Sequence, residues 1–289
     1  MQRQFVLRVL SGLVAAPLVV AAVWQGGLWF ALMLGAAAAA GTWEFYRIAR
    51  AGGVTPIAWL GIPLAFIVPF VVHATVQGSF YVPPSAAIVV PLAVLVVTLL
   101  TRSTQERPLA VAAVTVMAVL YTAGTVAFAY AMRYHPYVIG GAAATALVVL
   151  PVWLTWSTDT GAYLFGRIAG GPKLMPSVSP GKTVAGAIGG LLVAIGMGFA
   201  YLHYVLAPLA EVSMTTGGTV LFATLVSVAA QLGDLVESQL KREAGVKDAS
   251  GLFPGHGGIL DRFDSIFFVM PVTYLVLPWF LVPMPLGSS

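Results

Sequence analysis

The sequence predicts an all-α protein, a polytopic helical integral membrane protein with about nine transmembrane helices, and three observations lead there. Of its 289 residues, 59% are hydrophobic and 8% are charged, against roughly 25% charged in a soluble domain. The apolar residues come in long unbroken stretches. The basic residues lie between those stretches, almost all on one side once the chain is threaded through a bilayer. Water cannot solvate most of such a chain. In lipid, helices satisfy every backbone polar group within their own segment.

Crossing the hydrocarbon core takes about 20 mainly apolar residues. Spans are expected near 8–24, 28–46, 56–76, 83–100, 109–131, 138–158, 183–206, 217–238 and 265–286. Arg3 and Arg8 ahead of the apolar run to Trp24 have the look of a signal peptide. A retained first span is the expectation, because the rest of the chain is spans and the first one sets orientation. Pro56, Pro83, Pro84 and Pro108 stand near span starts, where a missing N–H does little harm. The alanine run 36–40 points to close helix packing. No soluble domain fits between the spans.

Orientation follows from the basic residues. With the N-terminus in the cytoplasm, nine spans put every one of the 14 Lys and Arg residues on the inner side except Arg133. A bias this complete argues for an inner N-terminus and an outer C-terminus. The absence of cysteine excludes disulfides and thiolate metal sites. Net charge is +4, yet no basic helix or tail stands outside the spans, which excludes nucleic acid as a partner. A compact chain with no targeting extension fits a bacterial inner membrane.

Seven of the ten acidic residues fall in two inner segments, one running from Asp159 to about Gly190 and the other from Gln231 to Ser265. Residues 136–289 are therefore the expected catalytic region. Residues 1–135, which hold Glu44 and Glu106, are the expected scaffold. In the second segment Asp234, Glu237 and Lys241 are spaced to share a helix face. Asp261 and Asp264 would share another face if the next helix has begun. Two such helices joined by the Pro254-Gly-His-Gly-Gly loop would bring Asp234 and Asp261 together. Two facing carboxylates call for a counter-charge, and a hard cation such as Mg²⁺ supplies it through oxygen ligands. Lys241, Arg242, Lys247 and Arg262 suit phosphate oxygens. At a span end such residues are ordinarily anchors, but these stand among carboxylates.

The first segment carries Ser157-Thr-Asp-Thr-Gly-Ala-Tyr, Gly166-Arg167, and Ser177-Val-Ser-Pro-Gly-Lys-Thr. Ser177, Ser179 and Thr183 around Lys182, just before a helix, form a plausible phosphate cradle, although the glycine spacing is not that of a Walker A loop. Gly186, Gly189 and Gly190 open the next span, for close helix packing or for backbone approach to a ligand.

The stretch from Ser238 to Asp264 resembles the signature of the phosphatidate cytidylyltransferase (CDP-diacylglycerol synthase) family: Ser, Lys-Arg, Lys-Asp, Pro-Gly-His-Gly-Gly, then Asp-Arg-x-Asp at matching spacings. The Asp-Thr-Gly-Ala-Tyr and Ser-Pro-x-Lys-Thr elements match as well. Departures fall at Gly181 and Ala185. The resemblance implies transfer of the cytidylyl group of CTP to phosphatidic acid, giving CDP-diacylglycerol and pyrophosphate for phospholipid biosynthesis. It implies a Mg²⁺-dependent site at the cytoplasmic face of a homodimer in membrane lipid, and leaves a second cation open. Asp234 and Asp261 become the expected metal ligands. Lys241, Arg242, Lys247, Asp248, His256, Arg262 and Asp264 become the expected catalytic residues. Asp159, Ser177, Ser179, Lys182, Thr183, Gly257 and Gly258 become the expected substrate contacts.

The alternative from another class is an ion-coupled membrane transporter. That would bury ionisable groups near the bilayer midplane. Here the acids cluster at the inner ends of spans. A CDP-alcohol phosphotransferase would show an Asp-Gly-x-x-Ala-Arg element, which this sequence lacks.

Overall fold

The computed structural model describes residues 17–83, 85–138, 140–252 and 257–283. Its helices are α1 (Gly27–Ala51), α2 (Ala58–Val76), α3 (Ala86–Thr101), α4 (Pro108–Arg133), α5 (Gly141–Ala169), α6 (Val184–Ala210), α7 (Thr216–Glu243) and α8 (Leu260–Phe280). All but α3 are long and apolar enough to cross a membrane. At 16 residues, α3 rises about 24 Å, short of a core of about 30 Å. Each helix falls on an expected span. The first expected span, 8–24, lies mostly outside the described residues, with residues 17–25 helical. The chain is an all-α polytopic membrane protein.

The chain packs as two compact units, one of residues 1–130 with 240–263 and one of residues 131–239 with 264–289. This division interleaves the chain rather than cutting it once, because α4, α7 and α8 each contribute to both.

In the first unit, polar side chains fasten helices whose surfaces are otherwise apolar. The Tyr46 hydroxyl donates to the Thr115 carbonyl at 2.9 Å, and the Ile57 N–H donates to Thr115 Oγ1 at 3.0 Å. Thr42 and Thr122 share a hydroxyl–hydroxyl bond of 2.6 Å. Thr122 lies in a π-helical turn, Leu120–Gly124, set inside α4. These hydroxyls are not lost to lipid. Thr115 and Thr122 also donate to the carbonyl four residues back, the usual resort of threonine within a helix.

The second unit is built on a glycine seam. A Cβ on Gly190 would stand 2.6 Å from the Thr158 carbonyl oxygen, and one on Gly186 would stand 2.7 Å from that of Ala162. A Cβ on Gly161 would meet the Gly189 carbonyl at 2.9 Å. The glycines opening α6 thus serve close packing of α5 on α6, the first of the two roles open to them in the sequence. Gly190→Ala is expected to destabilise the protein by about 1–3 kcal/mol, since the obstructing atom is backbone and cannot step aside. Gly196→Ala on the same helix meets nothing within 4 Å and is expected to be neutral. Thermal midpoints of the two variants in detergent provide the comparison.

Between α5 and α6 an antiparallel hairpin pairs β1 (Lys173–Met175) with β2 (Ser179–Thr183), Lys173 opposite Thr183. A second short pair joins β3 (Val212–Ser213) to β4 (Val282–Pro283). Neither strand pair was expected from the sequence. Helix α5 also runs on to Ala169, so Asp159, expected at the edge of a polar segment, lies well inside a helix.

Candidate active site

In the second unit the elements after Asp159 converge on one ion pair. Helix α7 presents Asp234, and the end of β2 presents Lys182. Lys182 Nζ lies 2.6 Å from Asp234 Oδ2. The other Asp234 oxygen accepts from Ser238 Oγ, one helical turn on, at 3.3 Å. Asp159 on α5 lies within electrostatic range of both Asp234 and Lys182. Two carboxylates against one ammonium leave a local excess of negative charge with oxygen donors only.

Thr183 is the N-cap of α6. Its Oγ1 accepts from the Gly186 N–H at 3.0 Å, which satisfies one of the orphan donors at a helix start. That hydroxyl is buried and orders the helix. Ser177 is exposed in the hairpin turn, and Ser179 is half-buried in β2. The expected cradle is therefore a hairpin that delivers Lys182, with Thr183 locking its junction to α6.

In the first unit Asp261, in the opening turn of α8, gathers donors on both oxygens. Lys241 Nζ donates to Oδ1 at 2.7 Å, and the side chains of this pair are 11% and 13% exposed. The Ala249 N–H reaches Asp261 Oδ2 at 3.0 Å, and the Gly258 N–H reaches the same oxygen at 2.8 Å. The two carboxylates expected to hold a cation thus fall in different units, and each is paired with its own lysine. Asp261 and Asp264 do not share one regular helix face, because a turn at residues 264–265 interrupts α8. Asp264 Oδ1 accepts from the Ser265 N–H at 2.6 Å.

Arg242, Lys247, Asp248 and Arg262 are exposed, and Arg242 donates to the Val246 carbonyl at 3.2 Å. His256 lies outside the described residues. Gly257 has φ +76°, and a Cβ there would stand 2.6 Å from Asp261 Oδ2. A Cβ on Gly258 would overlap the carboxyl group of Glu44. Both glycines, expected to admit a phosphate, admit carboxyl groups of the protein itself.

Glu44 is the residue that sequence reasoning missed. It sits on α1, in the expected scaffold, and is fully buried. Its carboxyl group accepts from Ser250 Oγ at 2.5 Å, the Ile259 N–H at 3.1 Å and the Leu260 N–H at 2.6 Å. The available signal was its isolation, since an acid inside an apolar span marks a functional position by default.

Among the described residues no three His, Asp or Glu side chains converge as a ready-made metal cage. Asp159 and Asp234 still supply the donor type that Mg²⁺ takes, since the ion uses one or two carboxylates and completes its shell with substrate phosphates and water.

A family model described as "Cytidylyltransferase family" matches residues 6–280. Proteins named phosphatidate cytidylyltransferase from Staphylococcus haemolyticus (strain JCSC1435) and Staphylococcus aureus (strain COL) are 46% and 47% identical to this chain over 124 residues. That stretch covers 43% of this chain and 46% of each relative, so the chain spans about half the length of the curated relatives it matches. A family match running through nearly all the spans, joined to the paired lysines and carboxylates of the motif segments, places the chain in the cytidylyltransferase family.

Proposed function

We propose that the chain transfers the cytidylyl group of CTP to phosphatidic acid, releasing pyrophosphate and CDP-diacylglycerol. The observation that carries this reading is the Lys182–Asp234 pair beside Asp159, in a chain of membrane-spanning helices that belongs to the cytidylyltransferase family. The names of the two relatives support the choice of phosphatidic acid.

The reaction joins two anions. The phosphate of phosphatidic acid has its second pKa near 6 and is largely ionised at neutral pH, so its oxygen attacks without a strong general base. A bond forms between that oxygen and the α-phosphorus of CTP, the α–β bridging bond breaks, and pyrophosphate leaves. The chain's task is to position the reactants and neutralise their charge. Lys182, held by Asp234, offers an ammonium at the end of β2. The exposed Arg242, Lys247 and Arg262 offer cationic groups to phosphate oxygens. Asp234 and Asp159 are the residues that would hold Mg²⁺. When bound, the ion neutralises triphosphate charge and stabilises the leaving pyrophosphate. The distribution of basic residues supports a site at the cytoplasmic face of an inner membrane, where soluble CTP meets a lipid headgroup. A homodimer belongs to the same proposal through the resemblance.

The test is pyrophosphate release by the purified protein in detergent. Release should require Mg²⁺, CTP and phosphatidic acid together and should yield a CDP-lipid. Release that persists without the lipid, or none with all three present, would overturn the proposal.

A further inference from the structure

Glu44 belongs to none of the motifs, yet it is hydrogen-bonded to the segment that carries the densest of them. Two carboxyl groups hold the described ends of that segment. Asp261 takes the N–H groups of Ala249 and Gly258. Glu44 takes the Ser250 hydroxyl and the N–H groups of Ile259 and Leu260. Residues 249–250 and 258–260 are thereby closed into one knot. The Ile259 and Leu260 amides stand at the start of α8, where N–H groups lack helical partners and the helix dipole favours negative charge. A carboxyl group buried this completely is costly unless hydrogen-bonded, and here both oxygens have donors. The fit is close enough to dictate sequence, since any side chain at Gly258 would occupy the space of the Glu44 carboxyl.

We propose that Glu44 is a positioning residue for cytidylyl transfer. From α1 it fixes the first turn of α8, and through that turn the placement of Arg262, one of the cationic groups the proposed reaction uses, beside Asp261 and its partner Lys241. The inference rests on the cytidylyltransferase reaction for its catalytic meaning and on the hydrogen bonds alone for its structural meaning, so the two can fail separately.

Glu44→Gln preserves size but sets an amide N–H against backbone N–H donors. In the full-length protein in detergent, amide hydrogen exchange at residues 258–263 is expected to accelerate by about tenfold, with exchange in α5 and α6 unchanged. The kcat for pyrophosphate release is expected to fall on the order of 10–100-fold, as misplacement of a supporting group does, with KM for CTP within about threefold of wild type. Unchanged exchange at residues 258–263, or an unchanged kcat, overturns the proposal. A wild-type protein that releases no pyrophosphate overturns the reaction while the exchange experiment still decides whether Glu44 is the anchor.

Should Glu44→Gln fail to fold, the pair Glu44→Asp and Gly258→Ala decides the same question. The shorter acid withdraws from the space that the new Cβ needs. The double variant is expected to retain about tenfold more activity than the product of the two single losses. Strictly multiplicative losses would show that the two residues act independently and would overturn the contact on which the proposal stands.

Discussion

Asp234→Asn is expected to reduce pyrophosphate release by on the order of 10³-fold, the scale on which loss of one preorganised electrostatic group is felt, and to leave the protein folded. Asparagine keeps the shape and retains an oxygen for Ser238, so α7 loses no packing. It loses the charge that pairs with Lys182 at 2.6 Å and that would hold Mg²⁺. The side chains of that pair are 28% and 32% exposed, a setting in which an ion pair contributes about 0–1 kcal/mol to stability. Activity and stability should therefore separate. The thermal midpoint in detergent should stay within a few degrees of wild type, while release falls to background. A variant with wild-type turnover would remove Asp234 from the mechanism, and one that aggregates on extraction would make it a structural residue instead.

Lys241→Met should do both kinds of damage. The Lys241–Asp261 pair is much better buried, and removing one partner leaves an uncompensated carboxylate. Breaking a buried pair costs about 3–5 kcal/mol; the two backbone donors that remain on Asp261 put the expected loss near the lower figure. Activity should fall with it, because the start of α8 loses one of its supports. Replacing both partners by groups of similar size is often neutral. Lys241→Met combined with Asp261→Asn should therefore recover part of the lost thermal midpoint without recovering activity. If the double variant is less stable than Lys241→Met alone, the burial of charge is not the source of the damage.

The spans were legible because an apolar window of helical length admits one backbone solution in lipid. Each described helix lies where hydropathy placed it. The motif segments stood out as well, since acids and bases are interleaved there at span ends. Partner choice was not legible. Spacing put Asp234, Glu237 and Lys241 on one face of α7, but Lys182 is 52 residues from Asp234 in the chain, and only the hairpin after α5 brings them together. That hairpin was invisible because its strands are three and five residues long and their proline and glycine suggest a loop. Asp159 was placed just past a span end because the apolar stretch gives way there to Ser157-Thr-Asp-Thr-Gly. In α5 the hydroxyls of Ser157, Thr158 and Thr160 instead bond the carbonyls four residues back, and the helix continues. Gly257 and Gly258 looked like phosphate-binding glycines because a glycine pair looks the same whether a ligand or a neighbouring carboxyl group fills the space beside it.

The bond from Glu44 to Ser250 spans 206 residues of sequence, and that distance has a meaning for biosynthesis. Chains emerge from the ribosome at about 5–20 residues per second, so roughly 10–40 s pass between synthesis of the acid and synthesis of its donors. Throughout that interval α1 must enter the bilayer carrying a carboxyl group whose partners do not yet exist. The first unit is thus kept incomplete around Glu44 until α8 arrives. A message truncated ahead of residue 250 would leave an unsatisfied acid inside a membrane helix, a ready mark for a protease that surveys unfinished membrane proteins.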